Sequence, residues 1–187
     1  MEEYNGFALN LEEMGDVAGA EAIYRRNLDL LVRTKGRGSL ETARTLALLS
    51  NNLDRQDKPL EAEVRLRQAI TIRERHLGPG NPDTLRSLGN LVGLLSKSGK
   101  YDEASALQTR VIALRSALPE RNREESIADL GRMGNIKSKQ GEVDAAIDYQ
   151  RQALAFATDT LDPGHPYVAL ASMALARSLA RKAPESE

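Results

Sequence analysis

Ala20, Ala62, Ala104 and Ala146 stand at a constant step of 42 residues, with no insertion between them. No other feature limits the possible folds as strongly. Eight residues after each alanine come Leu28, Ile70, Ile112 and Leu154, and two further on Leu30, Ile72, Leu114 and Phe156. An earlier column holds Phe7, Leu49, Leu91, Met133 and Leu175. Apolar columns in one gapless register mark a unit copied along the chain. Copies of this length bury their apolar sides by stacking on their neighbours.

Each copy divides into two helices. Leu85, Leu88, Leu91, Val92 and Leu95 recur at three- and four-residue steps, which is one face of a helix. A turn at Ser98-Gly99-Lys100 breaks it, and the column Gly15, Asp57, Gly99, Gly141 puts a residue suited to left-handed backbone at the break. A second helix is expected from about Tyr101 to Leu118, burying Ala104, Leu107, Val111, Ile112 and Leu114. Small residues at its crossing point let two helix backbones approach closely.

The joints between copies carry their own punctuation. In Leu77-Gly78-Pro79-Gly80-Asn81-Pro82, the Gly-Pro-Gly run stops one helix, Asn81 caps the next, and Pro82 takes its first position, where a missing N–H costs nothing. His165 and Pro166 repeat the device 84 residues after Asn81 and Pro82. The intervening joint uses Asn122 and Glu125 at capping-box spacing.

These residues carry a resemblance. Leu77-Gly78-Pro79-x-Asn81-Pro82-Asp83-Thr84, Leu88-x-Asn90-Leu91, Gly99-Lys100-Tyr101-Asp102-Glu103-Ala104 and Ala20-Glu21-Ala22-Ile23-Tyr24-Arg25-Arg26 make the chain resemble tetratricopeptide (TPR) repeat proteins of the kinesin-light-chain-like, 42-residue kind. HEAT repeats have a similar length, but the Gly-x-x-x-x-Ala turn favours TPR. The resemblance covers essentially the whole chain. It implies an all-α fold: a right-handed α-solenoid of antiparallel helix pairs, about four TPR pairs plus one C-terminal helix. As a single array over 1–187, the repeats fall at about 1–38, 39–80, 81–122 and 123–164, with a terminal helix at 165–181 and a polar tail at 182–187. Lys137, Gln108 and Gln150 depart from the family pattern at positions that are usually apolar.

Composition agrees and excludes several functions. Aromatic residues are 4% of the chain and Trp is absent, so the core must be Leu, Ile, Val and Ala, which suits helices better than a β-sandwich. A net charge of −1, from 26 basic and 27 acidic residues, argues against nonspecific nucleic-acid binding. Without cysteine there is no disulfide, thiolate nucleophile or Cys-ligated metal. No apolar run approaches the ~20 residues of a membrane span, and Met1–Asn10 lacks the apolar core of a signal peptide. The expected location is the cytoplasm.

Catalytic signals are weak. His76 lies in a last helical turn and His165 at a capping position, without metal-ligand spacing to each other. Gly36-Arg37-Gly38 follows a helix and lacks the ending of a phosphate loop. The acidic pairs Glu12-Glu13, Asp102-Glu103 and Glu124-Glu125 fall near helix ends, where carboxylates complement the dipole at N-termini. We expect no enzyme, no cofactor and no metal.

The first helix of each TPR pair lines a concave groove in the family, and the resemblance implies the same here. The groove columns are then Arg44, Arg86, Ala128, Leu170; Leu48, Asn90, Arg132, Ala174; Asn51, Gly93, Asn135, Arg177; and Arg55, Lys97, Lys139, Arg181. A file of cations favours an acidic protein or peptide ligand, and Asn side chains can pair with its backbone in both directions. The candidate binding residues are Arg44, Asn51, Arg55, Arg86, Asn90, Lys97, Arg132, Asn135 and Lys139. A competing reading applies to the fourth column, because Lys and Arg are favoured at helix C-termini anyway. A complete carboxylate clamp is not expected, since Ala47 and Ala128 occupy two of its cation places. Gly89, Gly93 and Gly131 should face the groove, either making room for a ligand or reflecting drift; Gly134 falls in a packing column.

Two further readings follow. The apolar face of 166–181 (Leu170, Met173, Leu175, Leu179) has no following partner helix and could dock on a second copy. Arrays of this kind also resemble the sensor ends of large signalling NTPases, and the chain is read as an excised piece of a longer protein.

Overall fold

The computed structural model describes residues 2–118 and 123–182. Among them are nine α-helices and no strand. They are α1 (Glu2–Glu13), α2 (Val17–Thr34), α3 (Leu40–Arg55), α4 (Pro59–Leu77), α5 (Pro82–Lys97), α6 (Tyr101–Ser116), α7 (Arg123–Lys139), α8 (Val143–Thr160) and α9 (Pro166–Lys182). The second helix of the third repeat thus stops two residues short of the expected Leu118, and the terminal helix runs one residue past Arg181. None of the described helices is long and apolar enough to cross a membrane.

Local chemistry sets the boundaries. Asp16 accepts the Gly19 N–H at 2.8 Å to start α2, and Ser39 Oγ accepts the Thr42 N–H at 3.2 Å to start α3. Asn81 accepts the Asp83 N–H at 2.9 Å, and His165 Nδ1 accepts the Tyr167 N–H at 3.3 Å, so both expected caps form. Pro82 and Pro166 open α5 and α9. Asn122, half of the third expected cap, lies outside the described residues. Gly99 has φ +74°, and Asp57 occupies the same left-handed turn position at +58°.

The helices form an all-α solenoid that divides into two units, Met1–Leu94 and Leu95–Glu187, with the division falling inside α5. In the first, α1 packs on α2, α2 on α3 and α3 on α4; in the second, α6 packs on α7, α7 on α8, and α9 on both α7 and α8. Ala20, Ala62, Ala104 and Ala146 are all fully buried. Around them lie Leu49, Leu53, Leu66, Leu85 and Leu88 in one unit and Val111, Ile127, Met133, Ile136 and Ala153 in the other. Each fully buried aliphatic side chain contributes about 1.5–3 kcal/mol relative to exposure. Phe7 is 54% exposed, whereas Leu49, Leu91 and Met133 of the same column are buried.

Gly134 marks a close helix crossing. A Cβ there would lie 2.8 Å from Gln150 Cγ and 3.2 Å from the Ala146 carbonyl oxygen. Eighty-four residues before Ala146, the Ala62 carbonyl accepts a 2.8 Å hydrogen bond from Ser50 Oγ, and Ser50 itself stands two repeats before Gly134. Two of the three polar departures find polar partners. Gln108 is fully buried and donates to the Asp129 carbonyl at 3.0 Å and carboxylate at 3.1 Å, and Lys137 pairs with Glu142 at 3.0 Å.

Candidate functional site

In the first unit, Arg44, Asn51 and Arg55 are exposed on α3, and Arg86 and Asn90 are exposed on α5. The two helices meet through this face: Asn90 Nδ2 donates to Asn51 Oδ1 at 3.4 Å. Arg44 and Arg86 also line one cavity of about 500 Å³, together with Arg73 of α4. Arg86 is ion-paired with Asp83, one turn earlier on its own helix. Arg55 is held by Glu12 at 3.2 Å, and Glu12 also accepts from Asn52 Nδ2 at 2.6 Å. Glu12 therefore sits at the C-terminal end of α1, where the dipole does not favour it, and side-chain partners hold it.

In the second unit, α7 and α9 bring three of the expected columns together. Ala128, Arg132 and Asn135 share a cavity of about 390 Å³ with Leu170, Ala174 and Arg177. Tyr167 and Met173 complete the apolar part, and Leu170 and Met173 are 59% and 61% exposed. A Cβ at Gly131 would meet nothing within 4 Å, so the glycine leaves open space beside Arg132; Gly93 is likewise open. Lys97 and Lys139 are exposed in the last turns of α5 and α7. Arg181 of the same column donates to Ser138 Oγ at 2.7 Å. Two members of the basic column, Arg55 and Arg181, are thus tied to a side chain one repeat earlier.

Sequence reasoning missed the buried charges. Arg73 and Arg115 are 7% and 8% exposed and stand 42 residues apart. Arg115 Nε donates to the Asp129 carboxylate at 2.6 Å, and its Nη1 pairs with Glu125. Arg132 reaches the same buried Asp129 at 2.8 Å, which fixes one candidate binding residue to the core. The signal was present: the column Leu31, Arg73, Arg115, Ala157 mixes charge into a register otherwise apolar.

Models of the tetratricopeptide repeat match residues 3–75, 60–117 and 130–167. The chain belongs to the tetratricopeptide repeat family. A TPR array is a protein-interaction module, and its fold is typically a non-catalytic scaffold. Similar solved structures include the kinesin light chain nearly identical TPR-like repeats from Podosopora anserina, at 19% identity over 97% of this chain and 86% of that one, with TM-score 0.86. BtubC (BKLC) from P. vanneervenii shares 18% identity over 87% of this chain and 65% of that one, with TM-score 0.78. The apo form of RapI shares 14% identity over 97% and 63%, with TM-score 0.83. At these identities the likeness is one of fold. No curated protein matches the chain.

Proposed function

We propose that this TPR array is a cytoplasmic protein-interaction module that binds an acidic peptide or protein segment along its first-helix faces, without a cofactor. The unbroken 42-residue register supports reading 1–187 as one array. Arg44, Arg55 and Arg86 with Asn51 and Asn90 supply the contacts of the first unit, and Lys97, Arg132 and Lys139 with Asn135 those of the second. One observation carries the reading: Arg132 and Asn135 of α7 and Arg177 of α9 line a cavity together with the exposed apolar pair Leu170 and Met173 of α9. Such a wall suits a segment with acidic and apolar side chains interleaved. Opposite charge raises its encounter rate, and the amides fix its backbone.

The test is fluorescence anisotropy with labelled peptides alternating Glu and Leu. Reversing Lys97 and Lys139 to Glu should weaken binding by roughly tenfold or more and flatten its salt dependence. Equal affinity of the double reversal and the parent would end the proposal.

A second reading rests on α9. Leu170 and Met173 are exposed on one side of this helix and Leu179 is exposed further along it, and these uncovered apolar side chains support self-association. Light scattering across a concentration series should then show a rising mass, abolished by Met173→Glu.

A further inference from the structure

The chain solves the same electrostatic problem in two ways. In the second unit, the buried Arg115 is matched by two carboxylates, Asp129 and Glu125. Forty-two residues earlier the corresponding positions hold Arg73, Ser87 and Asp83. Serine has replaced the carboxylate that should face the guanidinium. Arg73 Nη1 donates to Ser87 Oγ and, at 3.2 Å, to the Asp83 carbonyl oxygen, both neutral acceptors. The Asp83 carboxylate is itself engaged by Arg86. A buried charge without a matching partner is costly. Burial, with Arg44 and Arg86 nearby, pushes the Arg73 guanidinium down from its ordinary value against the pull of Asp83.

A space lies where the counter-charge is missing. Arg44, Arg73 and Arg86 line the cavity of about 500 Å³, together with Leu31, Leu40 and Leu77. Two carboxylates, Glu41 and Asp83, also line it, leaving the arginines in excess by one. Around the equivalent Arg115, where the carboxylates are built in, the cavity is only about 130 Å³. Arg73 uses Nη1 alone, so Nε and Nη2 remain as the side-on fork that grips a carboxylate with two parallel hydrogen bonds.

We propose that the first unit holds a binding site for a carboxylate carried on an aliphatic body, with the carboxylate on Arg73 in the place that Asp129 takes on Arg115, and the aliphatic part against Leu31, Leu40 and Leu77. The ligand completes an ion pair that the next joint makes internally. The site shares Arg44 and Arg86 with the proposed peptide face but stands on Arg73, which that face does not use.

The experiment titrates the isotopically labelled protein with 4-methylpentanoate, acetate and inorganic phosphate, and follows the Arg73 Nε–H and the amides of α3, α4 and α5 by NMR. Saturable shifts with 4-methylpentanoate, tighter than with acetate or phosphate, are expected. Ser87→Asp restores the internal carboxylate and should weaken 4-methylpentanoate by roughly tenfold or more. Arg73→Leu, which installs the residue found at position 31 of this column, should abolish saturation. No saturable shift in the parent, or undiminished binding by folded Ser87→Asp or Arg73→Leu, would overturn the site. Phosphate binding as tightly as 4-methylpentanoate would overturn the assignment of a carboxylate ligand. Ser87→Asp alters none of the nine peptide-face residues. Loss of 4-methylpentanoate with retained acidic-peptide affinity therefore separates this site from that face.

Discussion

Replacing Asp129 with serine should lower the unfolding free energy by about 3 kcal/mol. Asp129 is 3% exposed and gathers three donors: Arg115 Nε at 2.6 Å, Arg132 Nη1 at 2.8 Å and Gln108 Nε2 at 3.1 Å. Breaking a buried pair from one side costs about 3–5 kcal/mol, because the other charge stays behind. Two features place this site at the lower end. Arg115 keeps Glu125, which is half-exposed and hence a weaker partner, and Gln108 keeps its 3.0 Å bond to the Asp129 carbonyl. Arg132 is more than a third exposed and can turn to water, so its loss adds little. Urea denaturation followed by helical circular dichroism measures the difference, and a cycle with Arg115→Leu isolates the pair. The double variant should be more stable than Asp129→Ser alone, since it removes the stranded charge. A cost under about 1 kcal/mol, or a double variant no better than the single, would refute the reasoning.

Three other outcomes are expected. Tyr24 is fully buried and its hydroxyl has no partner among the described residues; Tyr24→Phe should raise stability by about 1 kcal/mol in urea denaturation. Gly134→Ala should lower it by about 1–3 kcal/mol, because the new methyl meets Gln150 and the Ala146 carbonyl at a tight crossing. Glu21 has its carboxyl lowered from 4.5 to about 2, chiefly by the Lys58 hydrogen bond, with Arg25 and Gln56 assisting against burial. A lowered folded value means that its stabilisation is complete above 4.5 and lost as the pH falls toward 2. The stability gap between parent and Glu21→Gln, measured by thermal melts across that window, should close on acidification.

The fold was legible because its determinants are local and repeated. The alanine column, the glycine turn and the Asn81 and His165 caps each follow from short-range sterics or one hydrogen bond, and the structure places them as the register requires. The placement of Ala128, Arg132 and Asn135 beside Leu170, Ala174 and Arg177 was legible for the same reason: helical spacing fixes a face. The pairing of charges was not. Arg115 meets Asp129 across a joint, and nothing local to either residue signals the other. Gln108 read only as a departure from the apolar pattern because its acceptor lies 21 residues away on the next helix. Arg55 and Arg181 read as groove cations, yet each spends a donor on a neighbouring repeat, an interaction that the helix-dipole argument does not contain.

The joint chemistry also limits how such a chain can grow. Arg73 meets Ser87, Arg115 meets Asp129, and Ala157 lies with Ala171, so successive joints use different complements at corresponding positions. Duplicating 81–122 in tandem would set the Arg115 of the first copy against the Ser87 of the second and strand another guanidinium. The constant 42-residue register would allow the insertion, but the lock at each seam accepts only its own key. Lengthening this array by recombination would therefore require a compensating change at the new seam.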